Sequence, residues 1–77
     1  MNESDSIRLH HIWDAANEAL SFVGGRSKEA VLADRVLVLA LCREIEIIGE
    51  AASKISSEFR QGHQEIAWPA IIAMRIG

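Results

Sequence analysis

Val36-Leu37-Val38-Leu39-Ala40-Leu41-Cys42 is an unbroken apolar run set in the middle of a chain of 77 residues. Read alone, its Val-Leu alternation could be a β-strand. Read outward, it is continuous with a helical pattern on both sides, and that decides the fold. Leu37, Leu41, Ile48, Ala52, Ile55 and Phe59 form one stripe at helical spacing, with Glu44 the only polar member of the series. The stripe predicts a helix from about Asp34 to Phe59, which at the usual rise would be roughly 40 Å long. Ser27 opens a shorter helical segment ahead of it, reaching about Ala33, with Lys28 and Glu29 in its first turn. Because the run 36–42 is apolar all round, one neighbouring helix can cover only one side of it. The other side must meet another subunit, a further C-terminal helix, or both.

Upstream, Leu9, Ile12, Ala16, Ala19 and Val23 follow steps of three and four, predicting a first helix from Ser4-Asp5-Ser6 to Val23. Ser and Asp are good N-cap residues, and an acid there suits the positive end of the helix dipole. Gly24-Gly25 ends this helix, since glycine takes the left-handed C-cap conformation without steric cost. Downstream, Gly62-His63 interrupts the long stripe and Trp68-Pro69 starts a new helix, because proline fits the first helical turn. The expected architecture is all-α: an antiparallel helical hairpin or up-and-down bundle, followed by the opening turns of one more helix.

An apolar content of 49% with 25% charged residues marks a globular rather than a disordered chain, and the length suits one small domain. A core this small makes a partner subunit a reasonable expectation. The net charge of −3 argues against a general nucleic-acid surface, though not against a local basic cleft. Cys42 is the only cysteine, which excludes an intramolecular disulfide and fits a reducing cytoplasm; its apolar surroundings predict a buried thiol. Met1-Asn2-Glu3-Ser4-Asp5 is polar and acidic, unlike a signal peptide, and the run 36–42 is far short of the ~20 residues of a membrane span. A soluble, cytoplasmic protein is expected.

Two segments carry the most specific signal. One is Ile48-Gly49-Glu50-Ala51-Ala52, the other Ile66-Ala67-Trp68-Pro69-Ala70-Ile71-Ile72-Ala73-Met74-Arg75. A helical Ile-Gly-Glu-Ala followed by a Trp and then Met-Arg resembles the HepT-like branch of the HEPN superfamily. The resemblance extends from Asp5-x-x-Arg8-Leu9 through Met74-Arg75. Its individual motifs are short, and their order and spacing make the match. It implies a single HEPN-like helical domain over residues 1–77, homodimerisation, a minimal nucleotidyltransferase as antitoxin partner, and RNase chemistry in a toxin–antitoxin pair. It also implies that Arg75 is the catalytic arginine, which holds the scissile phosphate while a histidine moves protons. In the family the Met-Arg continues as Asn, a few residues, His and often Tyr. Here Ile76-Gly77 follows Arg75, and the chain has no Tyr. The resemblance therefore implies a last helix cut short and a C-terminally incomplete domain without ribonuclease activity in this form, or an active RNase if the natural chain continues.

The residues also allow plainer readings. Arg75 could be a solvated arginine. Gly49 costs about 1 kcal/mol in a helix interior and reads as a notch for close packing. Glu50 either orients a basic side chain or pairs with Lys54 at i+4. Trp13 and Trp68 read as packing residues, with Trp68 anchoring the helix that follows it. His10 and Asp14 share a helix face, but two ligands do not make a metal site. His63 precedes Arg75 and does not fit the motif histidine. No cofactor fingerprint is present. Val38, Leu39 and Cys42 are expected at a dimer seam, opposite the stripe that packs on the first helix. The competing class of function is a non-enzymatic helical module for dimerisation or docking.

Overall fold

The computed structural model describes residues 2–75, and these form five helices and no strand. They are α1 (Glu3–Val23), α2 (Lys28–Ala33), α3 (Arg35–Ser53), α4 (Ser57–Gly62) and α5 (Trp68–Ile72). The all-α expectation holds. The helices α1 and α3 pack along each other, and α2 and α5 rest on α3. Asp5, at the start of α1, bonds Ser56 just past the end of α3. Phe22, at the other end of α1, lines a cleft with Leu37 near the start of α3. The two long helices are therefore antiparallel, and the molecule is elongated at 41 × 21 × 21 Å.

The α1–α3 boundaries follow local chemistry. Asn2 caps α1, its side chain accepting from the Asp5 N–H at 2.7 Å. At the other end Gly24 takes φ 48°, and its N–H closes on the Leu20 carbonyl at 3.1 Å. Ser27 and Asp34 cap α2 and α3, accepting from Ala30 N–H and Leu37 N–H, both at 3.1 Å.

The structure corrects several expectations. Asp5 is not the cap of α1. It is buried at 3% exposure and accepts both the Ser56 N–H at 2.8 Å and the Ser56 hydroxyl at 2.6 Å. The helix predicted as continuous to Phe59 stops at Ser53 and restarts at Ser57. Ser56 turns extended, at φ −60° and ψ 150°, and its oxygen caps α4 by accepting from Phe59 N–H. Periodicity missed this break because Ala52, Ile55 and Phe59 keep helical spacing across it. Trp13 is not a packing residue: it is 68% exposed on the outer face of α1. Cys42 is exposed rather than buried, because the face of α3 carrying Leu37, Glu44 and Ala52 is the one that meets the rest of the chain.

The stripe itself behaves as read. Leu37, Ala52 and Ile55 are buried, with Ile55 at 1% exposure. Ala52, Ile55 and Trp68 form the main cluster, with Leu9 and Ile12 of α1, Phe59, Ile66, Ile71 and Ile72 packed against it. Outside it, Leu20, Val36 and Leu39 face solvent. Among the described residues, no helix is long and apolar enough to cross a membrane.

The Asp5–Ser56 tie carries a pH prediction. The Ser56 hydroxyl, then its N–H, holds the Asp5 carboxyl below its ordinary value of 3.8. A carboxylate with a depressed folded pKa adds stability above its unfolded pKa and loses it as pH falls through the folded value. Asp5→Asn should therefore lower Tm at neutral pH, with the gap to wild type closing below about pH 4. Thermal melts by circular dichroism check this. A gap that is constant down to pH 2–3 would show that the carboxylate charge is not what Ser56 binds.

Candidate functional site

Chain geometry brings the two motif segments together. The helix α5 ends at Ile72, and the backbone tapers through Ala73 N–H to Pro69 (3.0 Å), Met74 N–H to Ile71 (3.1 Å) and Arg75 N–H to Ile72 (3.2 Å). Arg75 thus lies past the helix rather than on it, contrary to expectation. A five-residue helix is too short to hold its own last turn. Ile76 and Gly77, with the expected departure from Asn at 76, lie outside the described residues.

Gly49 explains how this segment reaches α3. A Cβ built on Gly49 would sit 2.6 Å from the backbone nitrogen of Arg75 and 3.0 Å from the Ile71 carbonyl oxygen. Both obstacles are backbone, so no rotamer change relieves them. The reading of Gly49 as a packing notch is supported, and what fills the notch is the arginine's own main chain.

Glu50, one residue on, meets both candidate partners. Its Oε1 pairs with Lys54 Nζ at 3.4 Å and its Oε2 with Arg75 Nη1 at 3.3 Å. Lys54 first, and Arg75 second, hold the Glu50 carboxyl below the ordinary value of 4.5. Ser53 completes the set by accepting from Arg75 Nη1 at 3.1 Å. Sequence reasoning missed Ser53, although it stands at i+4 from Gly49 and so shares its helix face. The guanidinium remains 46% exposed, and exposed pairs of this kind contribute at most about 1 kcal/mol. The arrangement aims Arg75 more than it stabilises the fold.

Trp68 is the anchor beneath. It is buried, its Nε1–H donates to the His63 carbonyl at 3.0 Å, and its ring meets Phe59 edge-on at 6.2 Å. His63 itself stacks on Phe59 at 4.1 Å, with its Nδ1 2.9 Å from the Phe59 carbonyl oxygen, so one ring nitrogen is engaged locally. His10 and Asp14 are exposed on α1, and among the described residues no His, Cys, Asp or Glu cluster is arranged to hold a metal. Val38, Leu39 and Cys42 all lie off the buried face, with Val38 half-buried and Leu39 and Cys42 exposed.

A Trp-anchored turn thus delivers the Arg75 guanidinium, part-exposed, beside the Ile-Gly-Glu-Ala notch of a helical protein. Residues 12–75 match the ribonuclease HepT-like family, and the chain belongs to it. The chain is 39% identical over 67 residues to "Putative RNase TTE0752" of Caldanaerobacter subterraneus subsp. tengcongensis, covering 87% of this chain and 60% of that protein. It is 40% identical over 75 residues to "Probable ribonuclease HepT" of Thermococcus cleftensis, covering 97% and 68%. "Putative RNase MJ1380" of Methanocaldococcus jannaschii is 27% identical over 67 residues, covering 87% and 62%. The chain thus spans about three-fifths of the length of two of these relatives. No solved structure matches it significantly.

The notch gives a sharp prediction. Gly49→Val should displace the Met74–Arg75 backbone and pull the guanidinium off Glu50 and Ser53, even though valine is the better residue for a helix interior. NMR chemical shifts of Arg75 and Ser53 report it directly. Unchanged shifts at both would mean the close approach is not present in solution.

Proposed function

We propose that this chain supplies the helical frame and the catalytic arginine of a HepT-like endoribonuclease toxin. What carries the reading is Arg75, seated over Gly49 and aimed by Glu50 and Ser53. In this role Arg75 binds the scissile phosphate and stabilises the charge that develops on it, and a histidine supplies proton transfer. Residues 1–77 contain no histidine after Arg75, so on their own they bind phosphate without cleaving RNA efficiently.

The functional unit in this reading is a homodimer that docks a minimal nucleotidyltransferase antitoxin. The seam is the outer face of α3 at Val38, Leu39 and Cys42, where Val38 is half-buried, Leu39 is 55% exposed and Cys42 is also uncovered. Apolar residues left outside so small a core favour a partner. Leu39→Glu should convert the dimer to a monomer at about micromolar concentration, as read by sedimentation over a dilution series. A monomer already in the wild type would overturn the seam. Co-expression and pull-down with a small nucleotidyltransferase tests the partner separately, and absence of a complex would remove the antitoxin assignment.

A further inference from the structure

Glu44 has no part in the arginine site, and its surroundings are unusual. It is 5% exposed, and its Oε2 has no hydrogen-bond partner among the described residues. It lines a pocket of about 230 Å³ between α1 and α3, together with His11, Asp14, Ala15, Glu18 and Ile47. Among the described residues, no lysine or arginine lines this pocket. Arg43, the next residue along α3, has a side chain 72% exposed and reaches Glu46 at 3.7 Å instead. A buried carboxylate oxygen without a donor is costly, so such a group calls for a proton or a cation.

We propose that this pocket is a binding site for a guanidinium group, brought either by an arginine side chain of a second copy or by a small guanidino ligand. Three carboxylates offer acceptors, and a planar fork of five N–H donors can engage more than one of them at once. Ala15 and Ile47 give apolar walls against which a weakly hydrated guanidinium face can lie. A metal ion fits less well, since among the described residues no cluster has the spacing for one. Burial, with the neighbouring Glu18 adding to it, pushes the Glu44 carboxyl up from its ordinary value of 4.5, while Arg43 opposes. The competitor for the site is therefore a proton, and a guanidinium should displace it as pH rises. The groups facing Glu44 in this balance are His11, Asp14 and Glu18 on α1 and Arg43 on α3.

The test is a titration of the isotope-labelled protein with agmatine at low salt and near-neutral pH, followed by NMR. The amides of Ala15, Glu18, Glu44 and Ile47 should shift saturably, and binding should weaken as the pH is lowered. Glu44→Gln, which keeps the shape and loses the charge, should weaken binding about tenfold or more. Glu18→Gln should weaken it in the same direction, and melts confirm that both variants remain folded. Tetramethylammonium, a cation without N–H donors, should bind at least about tenfold more weakly than agmatine. A dilution series without ligand separates the sources. Movement of the same amides on dilution assigns the guanidinium to a second copy, and fixed positions assign it to a small ligand. The proposal fails if no saturable shift occurs, if Glu44→Gln binds like wild type, or if tetramethylammonium binds equally well. In that case a proton alone satisfies Glu44.

Discussion

Purified residues 1–77 should cleave RNA about 10²–10⁴-fold more slowly than the same chain with Asn-Arg-Leu-Ile-His-Tyr in place of Ile76-Gly77. The reason lies in what Arg75 can and cannot do. A guanidinium attracts a phosphate and offsets its developing charge, but it stays protonated and cannot exchange protons with a ribose hydroxyl or a leaving oxygen. Its two described partners do not fill the gap. Ser53 has an ordinary hydroxyl, and Glu50 is held ionised by Lys54 and Arg75 and so is a poor acid near neutral pH. His63 is engaged with Phe59 through its ring face and one nitrogen. The acidic balance of the chain adds no general affinity for RNA that could compensate. Cleavage of a labelled RNA by the two forms, side by side, is the measurement. Equal rates would place the proton-transfer group elsewhere, on His63 or on the other subunit of a dimer.

Trp68→Ala should cost about 3–5 kcal/mol, a loss comparable with the whole stability of a small domain. Trp68 belongs to the only cluster that joins α1, α3, α4 and α5 among the described residues. Removing its ring strips the apolar cover from Ala52 and Ile55, orphans the His63 carbonyl and leaves Phe59 without its edge-on neighbour. With no other large core among the described residues, little can collapse into the space. Trp68→Phe keeps much of the volume and loses chiefly the Nε1 bond, so it should cost only about 1–3 kcal/mol. Urea unfolding followed by circular dichroism distinguishes them. A Trp68→Ala midpoint within error of wild type would show that α5 is not docked through Trp68. The same variant should also loosen Arg75, since Trp68 is the largest side chain tying α5 to α3 among the described residues.

How much of this was legible in the sequence depended on whether the signal was local. The helix starts at Ser27, near Asp34 and at Trp68-Pro69 and the helix end at Gly24 are short-range chemistry, and each appears where the sequence predicts it. The inward face of α3 was legible too, down to Glu44 as its polar member. The failures share one cause, which is that they depend on residues far apart in the chain. Asp5 looked like a helix cap because its partner, Ser56, is 51 positions away. The break at residues 54–56 was invisible because the apolar spacing runs straight through it. Residue type and neighbourhood point Trp13 and Cys42 inward, and only the direction of α1 against α3 turns them outward.

The candidate site divides in the same way. Gly49, Glu50, Trp68 and Arg75 were found as motif residues, but their contact was not, nor was Ser53. That Arg75 follows a turn rather than a helix also needed the structure, because the tapering of α5 is a consequence of its shortness. The pocket at Glu44 shows the same limit: the stripe places the carboxylate inside, and only the packed helices show that Asp14 and Glu18 stand beside it.

In the proposed function Arg75, seated in the Gly49–Glu50–Ser53 notch, is the phosphate-binding group of a HepT-like ribonuclease. The most direct measurement is single-turnover RNA cleavage by the histidine-bearing chain with Arg75 intact and with Arg75→Ala. The side chain is half in solvent and its pairs add little stability, so the variant should remain folded. The expected result is a fall of about 10²–10³-fold in the cleavage rate with an unchanged circular dichroism spectrum. Cleavage by Arg75→Ala at the rate of the parent chain would contradict the account.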